Sequence, residues 1–175
     1  MLVPMGDETA VLEIPDDDPR AVELVLAIRG GDTETVRRHL AADPGLVRAG
    51  IVDRKGGFLT LLHVVTDWPG YFPHGPEMVR LLIGAGADPS VRHPTRCDET
   101  ALHWAASSDD AEVAAALIDG GADLDVPGGS IGTPLANAVG YGCCYGPPSG
   151  RAACLIWGDQ WTSACSSCPS SRWPS

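Results

Sequence analysis

The chain has 175 residues, 44% of them hydrophobic and 20% charged, a balance that fits one soluble folded domain and excludes a disordered tail. Its longest apolar runs are broken by charge within about ten residues, short of the roughly 20 that a bilayer span needs, so no membrane-spanning helix is predicted. The net charge of −11 comes from residues 1 to 142, whose 22 acids against 10 Lys and Arg give −12, the remainder adding +1; such a body repels phosphate backbones, which argues against nucleic acid as a partner and favours a neutral or basic protein surface.

Residues 1 to 19 read as an exposed acidic leader. It lacks the basic region and apolar stretch of a secretory signal, which predicts a cytoplasmic protein, and Asp16-Asp17-Asp18-Pro19 marks its boundary with the first helix. Residues 20 to 52 are predicted to form a helix pair. Val22, Leu24, Val25, Ala27 and Ile28 give the first helix its apolar face, Gly30-Gly31 breaks it, and Asp32 caps a second helix carrying Val36 and Leu40. A second unit, about 56 to 90, opens on Thr60-Leu61-Leu62-His63 and closes on Gly86-Ala87-Asp88. Between its helices lies an insertion, residues 67 to 76, too rich in Pro and Gly to be helical and predicted to loop out. A third unit, about 95 to 127, opens on Thr100-Ala101-Leu102-His103-Trp104-Ala105-Ala106, places Asp109-Asp110 where Asp caps a second helix, and closes on Gly120-Gly121-Ala122-Asp123. A partial fourth, 130 to 142, begins Thr133-Pro134-Leu135, with Pro134 at the first helical position, where a missing N–H costs nothing. Short hairpins are predicted near residues 53 to 58, 90 to 98 and 124 to 131.

Thr133 follows Thr100 by 33 residues, and that period, with Thr-x-Leu-His-x-Ala-Ala and Gly-Ala-Asp at these places, resembles the ankyrin repeat over roughly residues 20 to 142. The array is also similar to those of actinobacterial ankyrin-repeat proteins. The resemblance implies an all-α solenoid of antiparallel helix pairs with short hairpin fingers, about three and a half repeats long, followed by an irregular tail. It implies structural roles for Thr60, His63, Thr100, His103, Thr133 and Pro134, the Thr hydroxyl and His ring tying neighbouring turns and repeats together by hydrogen bonds. Leu61 and Ala101 stand in place of the motif's Pro, and His39 where the family usually has a core Leu. Because the fourth repeat stops after one helix, part of the face made by Val113, Leu117 and Ile118 is expected to stay uncovered.

From Cys143 to Ser175 the composition changes: five of the six Cys, three of the five Trp and seven Ser fall here, with Asp159 the one acid. Three readings are open. Cys143, Cys144 and Cys154, with the Cys165-x2-Cys168 pair, offer thiolates for a zinc site, although there is no second such pair and no His in the tail. A disulfide knot would need an oxidising compartment. The third reading is that the chain is truncated or frameshifted after about residue 142. Back-translated and read one base later, residues 144 to 152 permit Val-Thr-Ala-Arg-Leu-Leu-Val-Ala-Arg, the helix that the fourth repeat lacks, although the Gly due soon afterwards is not permitted.

The sequence contains no Gly-rich phosphate loop, isolated carboxylate pair or nucleophile with an assigned base, so no enzyme activity, cofactor or metal is predicted for the repeats. The resemblance implies a non-enzymatic protein–protein interaction module whose partner is an unknown protein. The alternatives are a regulatory or targeting fragment of a longer enzyme and, third, a zinc-dependent tail. The candidate partner-binding residues are the finger-tip residues Arg54, Lys55, Arg92 and Arg96, beside His93 and Glu99, then Trp104 on a first helix, and Trp68, Tyr71, Phe72 and His74 of the insertion, because aromatic side chains on an exposed loop are preferred interface anchors. The competing role for those aromatics is to fold back over the helix ends.

Overall fold

Apart from α4, helix starts among the described residues are set by side chains that satisfy the free N–H groups of a first turn. Asp18 accepts the backbone N–H of Arg20 at 2.8 Å and opens α1 (Pro19–Gly30), and hydrogen bonds from Arg20, whose guanidinium lies 2.9 Å away, hold its carboxyl down to about 2. Asp32 accepts the N–H of Thr35 at 3.0 Å and opens α2 (Thr33–Ala42). Thr60 and Thr100 open α3 (Leu61–Thr66) and α5 (Ala101–Ser107), and Asp110, accepting from Val113 at 3.2 Å, opens α6 (Ala111–Asp119). α4 (Gly75–Gly84) starts two residues inside the expected insertion, because Pro76 fits a first helical turn as well as a loop. The last helix is α7 (Pro134–Gly142). The computed structural model describes residues 12–93, 98–128 and 132–142; Arg96 and all three readings of the Cys-rich tail fall outside them.

The helices stack in two rows. α1, α3, α5 and α7 follow one another, and α2, α4 and α6 lie behind them, with α4 between α2 and α6. Leu24, Ile28, Val36, Leu61, Met78, Leu82, Leu102 and Leu117 are fully buried in one continuous core. A small cluster of Ala106 and Ala138, with Leu135 against it, seats α7 on α5. The uncovered part of the face expected on α6 is confined to Ile118, which stays partly exposed while packing on the core; Val113 and Leu117 are buried. That stripe turns back onto the preceding pair, where Val113 touches Gly75 of α4 so closely that a Cβ there would lie 2.7 Å from its methyl.

The all-helical expectation is corrected by a three-stranded sheet. β1 (Glu13–Pro15) runs parallel to β2 (Gly50–Val52), which pairs antiparallel with β3 (Phe58–Thr60). β2 and β3 are the first hairpin finger, whose β2 edge would leave backbone groups unpaired. The leader fills that edge: Gly50 donates to Leu12 O at 2.8 Å, Asp16 donates to Val52 O at 2.9 Å, and Ile14 is buried. Residues 13 to 15 are therefore part of the fold rather than a solvated lead-in.

The insertion reaches in both directions from the second pair. Asp67 meets Arg29 of α1 at 2.6 Å, and the same guanidinium lies 5.9 Å from the centre of the Phe72 ring. Gly31, at φ 73°, ends α1 directly under Pro73, and a Cβ there would stand 2.5 Å from the Pro73 carbonyl oxygen. Gly31→Ala therefore meets both left-handed strain and a backbone clash. It is expected to cost about 2 kcal/mol, read as a lower urea midpoint; an unchanged midpoint would show that the insertion moves aside freely.

Candidate functional site

Two histidines bridge successive units in the same way. His63 Nε2 lies 3.3 Å from Glu99 O, and His103 Nε2 lies 3.0 Å from Gly132 O, the acceptor in each case being the residue just before the next Thr of the motif. A carbonyl oxygen only accepts, so Nε2 carries the proton and Nδ1 is the acceptor. Nδ1 of His63 then accepts from the Thr60 hydroxyl at 2.8 Å; Nδ1 of His103 accepts from the Thr100 hydroxyl at 2.9 Å and from the Thr100 N–H at 3.0 Å. Both rings are neutral in this arrangement. Burial pushes His63 down to about 4, and burial also lowers His103. Thr133 repeats the cap by accepting the N–H of Ala136 at 3.3 Å, and Pro134 is buried at the start of α7.

The three insertion aromatics are not equivalent. Trp68 is 79% exposed, and its backbone N–H is held by Asp67. Tyr71, with its ring largely exposed, donates its N–H to Asp110 Oδ2 at 2.9 Å and its hydroxyl to Asp109 O at 2.8 Å, which fixes the loop to the next unit. Phe72 is half-buried beneath Arg29. Tyr71 and His74 both sit in the left-handed region, at φ 57° and 55°, a conformation uncommon for such side chains and here sustained by the loop's contacts on either side. His74 is exposed, 3.6 Å from the Glu77 carboxylate.

At the finger tips, Arg54 and Lys55 are exposed, and Arg54 meets Asp17 of the leader at 3.1 Å. Arg92 is exposed and donates to Pro127 O at 3.3 Å. His93, expected on the polar tip, is instead 2% exposed. Its ring is drawn inward by aromatic neighbours, 5.3 Å from His63 and 5.4 Å from Trp104. Trp104 is half-buried and its indole N–H donates to the Glu99 carboxylate at 2.9 Å.

These elements enclose a groove of about 450 Å3 that residue-by-residue reading does not single out. One wall is α1, which is apolar on two sides. Ala21, Leu24 and Ile28 face the core, while Val22 and Leu26 stay 43% and 66% exposed, with half-buried Val25 between them. Val22 thus leaves the core face on which periodicity placed it, since the core stripe at spacing 21, 24 and 28 is already full. The opposite wall is the finger, through Phe58 and Leu59, and Trp104 and His93 complete the lining. Asp16, Asp53 and Asp67 add three carboxylates to it, and none of its described lining residues is Lys or Arg. Asp53 is held below the usual carboxylate range by the N–H groups of Gly57 and Lys55, each at 2.7 Å. The readable signal was the second stripe on α1, left over once a core stripe is assigned.

Among the described residues no group of three His, Cys, Asp or Glu is placed to hold a metal ion, and no helix is long and apolar enough to cross a membrane. The family model for ankyrin repeats (3 copies) matches residues 24–127 and 62–145. No curated protein is significantly similar to the chain.

Proposed function

The chain belongs to the ankyrin-repeat family, and from that premise we propose that it is a non-enzymatic, cytoplasmic interaction module that holds a neutral or basic protein surface against α1, the first finger and the edge of the insertion. The family is one of protein–protein interaction modules. The three helix pairs and the single α7 are read as three and a half repeats. The observation that carries the finer reading is the exposure of Leu26 and Trp68 at 66% and 79%. Neither side chain serves the core, and a large exposed aromatic such as Trp68 is a preferred interface anchor. The net charge of −11 selects against nucleic acid and an acidic partner.

The test is capture on the immobilised full chain, compared with Leu26→Asp and Trp68→Ser made separately. A partner retained by the parent chain and lost from either variant, with helical circular dichroism unchanged, is the expected result. Equal capture by all three proteins would place the interaction elsewhere. Replacing Trp68, Tyr71 and Phe72 together is a poorer test, because Tyr71 and Phe72 also hold the insertion to its neighbours.

A further inference from the structure

We propose that the groove beside α1 receives a linear segment of a partner protein in which a large aliphatic or aromatic side chain is flanked by Arg or Lys. This rests on the interaction-module reading and adds the chemistry of the occupant.

The floor and the rim make different demands. Val22, Leu26, Phe58 and Trp104 offer apolar surface in a trough of about 450 Å3, within the range of roughly 300–1,000 Å3 usual for sites that take one or two large groups. Helix and hairpin stand on either side of that trough, a shape suited to an extended segment rather than to a flat protein face. Asp16, Asp53 and Asp67 set the charge. Asp67 already shares its charge with Arg29 at 2.6 Å, and Asp53 is held by two backbone N–H groups with the Lys55 charge near it, so exposed Asp16 is the rim carboxylate best placed to meet an incoming cation. Guanidinium or ammonium groups flanking the apolar anchor complement this rim, whereas phosphates and acidic segments are repelled. A second copy of the chain, itself at net charge −11, brings the wrong sign to the rim.

The test uses the full chain with labelled methyl and indole groups, titrated by magnetic resonance with two heptapeptides to ~1 mM. Both peptides have a Leu-Leu-Phe centre, one with two Arg on each side and the other with two Glu. The basic peptide is expected to shift the methyls of Val22 and Leu26 and the indole of Trp104, with affinity falling as salt rises, while the acidic peptide leaves them unmoved. Leu26→Asp is expected to weaken the basic peptide about tenfold or more, and Asp16→Lys, a change outside the core, to weaken it and flatten the salt dependence. Equal shifts from both peptides, shifts that cluster elsewhere, or a groove silent to both would overturn the inference. So would self-association in sedimentation that Leu26→Asp abolishes, which would give the groove to a second copy. If the peptides fail while a captured partner is still lost on Trp68→Ser, the module reading stands and only the linear segment falls; if neither variant changes capture, both fall.

Discussion

Acidification from about pH 6.5 to 4 is expected to remove about 3 kcal/mol of stability through His63 alone, the value that corresponds to its fall from 6.5 to about 4 on burial. The folded ring resists protonation for a geometric reason as well. Nε2 already donates to Glu99 O, and a proton on Nδ1 would face the Thr60 hydroxyl that donates to it. His93 and His103 add like charge when they protonate. A folded-state value below the unfolded one means that the unfolded chain takes up the proton more readily. The contribution is therefore complete above about pH 6.5 and is lost as the pH falls through about 4. His103, also lowered by burial, acts with the same sign. Urea midpoints measured across that interval should decline from its upper end, where carboxylates have not begun to titrate, and the His63 ring should titrate far below an ordinary histidine. A midpoint constant over the upper half of the interval would refute the buried neutral bridge.

Leu82→Ala should be the most damaging of single truncations, at about 2–5 kcal/mol. Leu82 has no exposed surface, and it lies on α4, the helix that joins α2 to α6 in the back row. In a repeat array each unit is stabilised mainly by its neighbours, so a cavity at the central joint weakens cooperation as well as stability. Hydrogen exchange on the variant should show the amides of α5 and α6 opening apart from those of α1 and α2, where the parent chain opens them together. A single cooperative transition with a loss below about 1 kcal/mol would mean that the neighbouring side chains close over the cavity.

Reading the chain alone worked best where cause and effect lie within one turn. Asp32, Thr60, Thr100 and Asp110 open helices because an oxygen three residues back reaches a free N–H, a contact that any tertiary setting preserves. Family membership was legible on the same ground, since spacing and residue type carry it. The hairpin at 53 to 57 was legible as a turn, but the strand laid against it was not. β1 is only three residues long, and what made it a strand was a vacant edge some 37 positions away in sequence, between Glu13 and Gly50.

The groove was illegible for a related reason. Periodicity shows that α1 is apolar on more than one side, but it gives no rule for which stripe the next helix will cover. Packing chose Ala21, Leu24 and Ile28 and left Val22 and Leu26 in water. His93 went the other way, a polar residue on a predicted tip that its aromatic neighbours pull under cover.

The family, the starts of the side-chain-capped helices, the break between helices at the insertion and the acidic character were all written locally in the chain, because each follows from short-range hydrogen bonding or from composition. Tertiary structure alone decided that the leader completes a sheet, that Tyr71 and Phe72 brace the insertion while Trp68 stays exposed, and that α1, the finger and Trp104 converge on one acid-rimmed groove. Those outcomes depend on which surfaces meet across long stretches of chain, where burial of one stripe excludes another, and no local pattern encodes that competition.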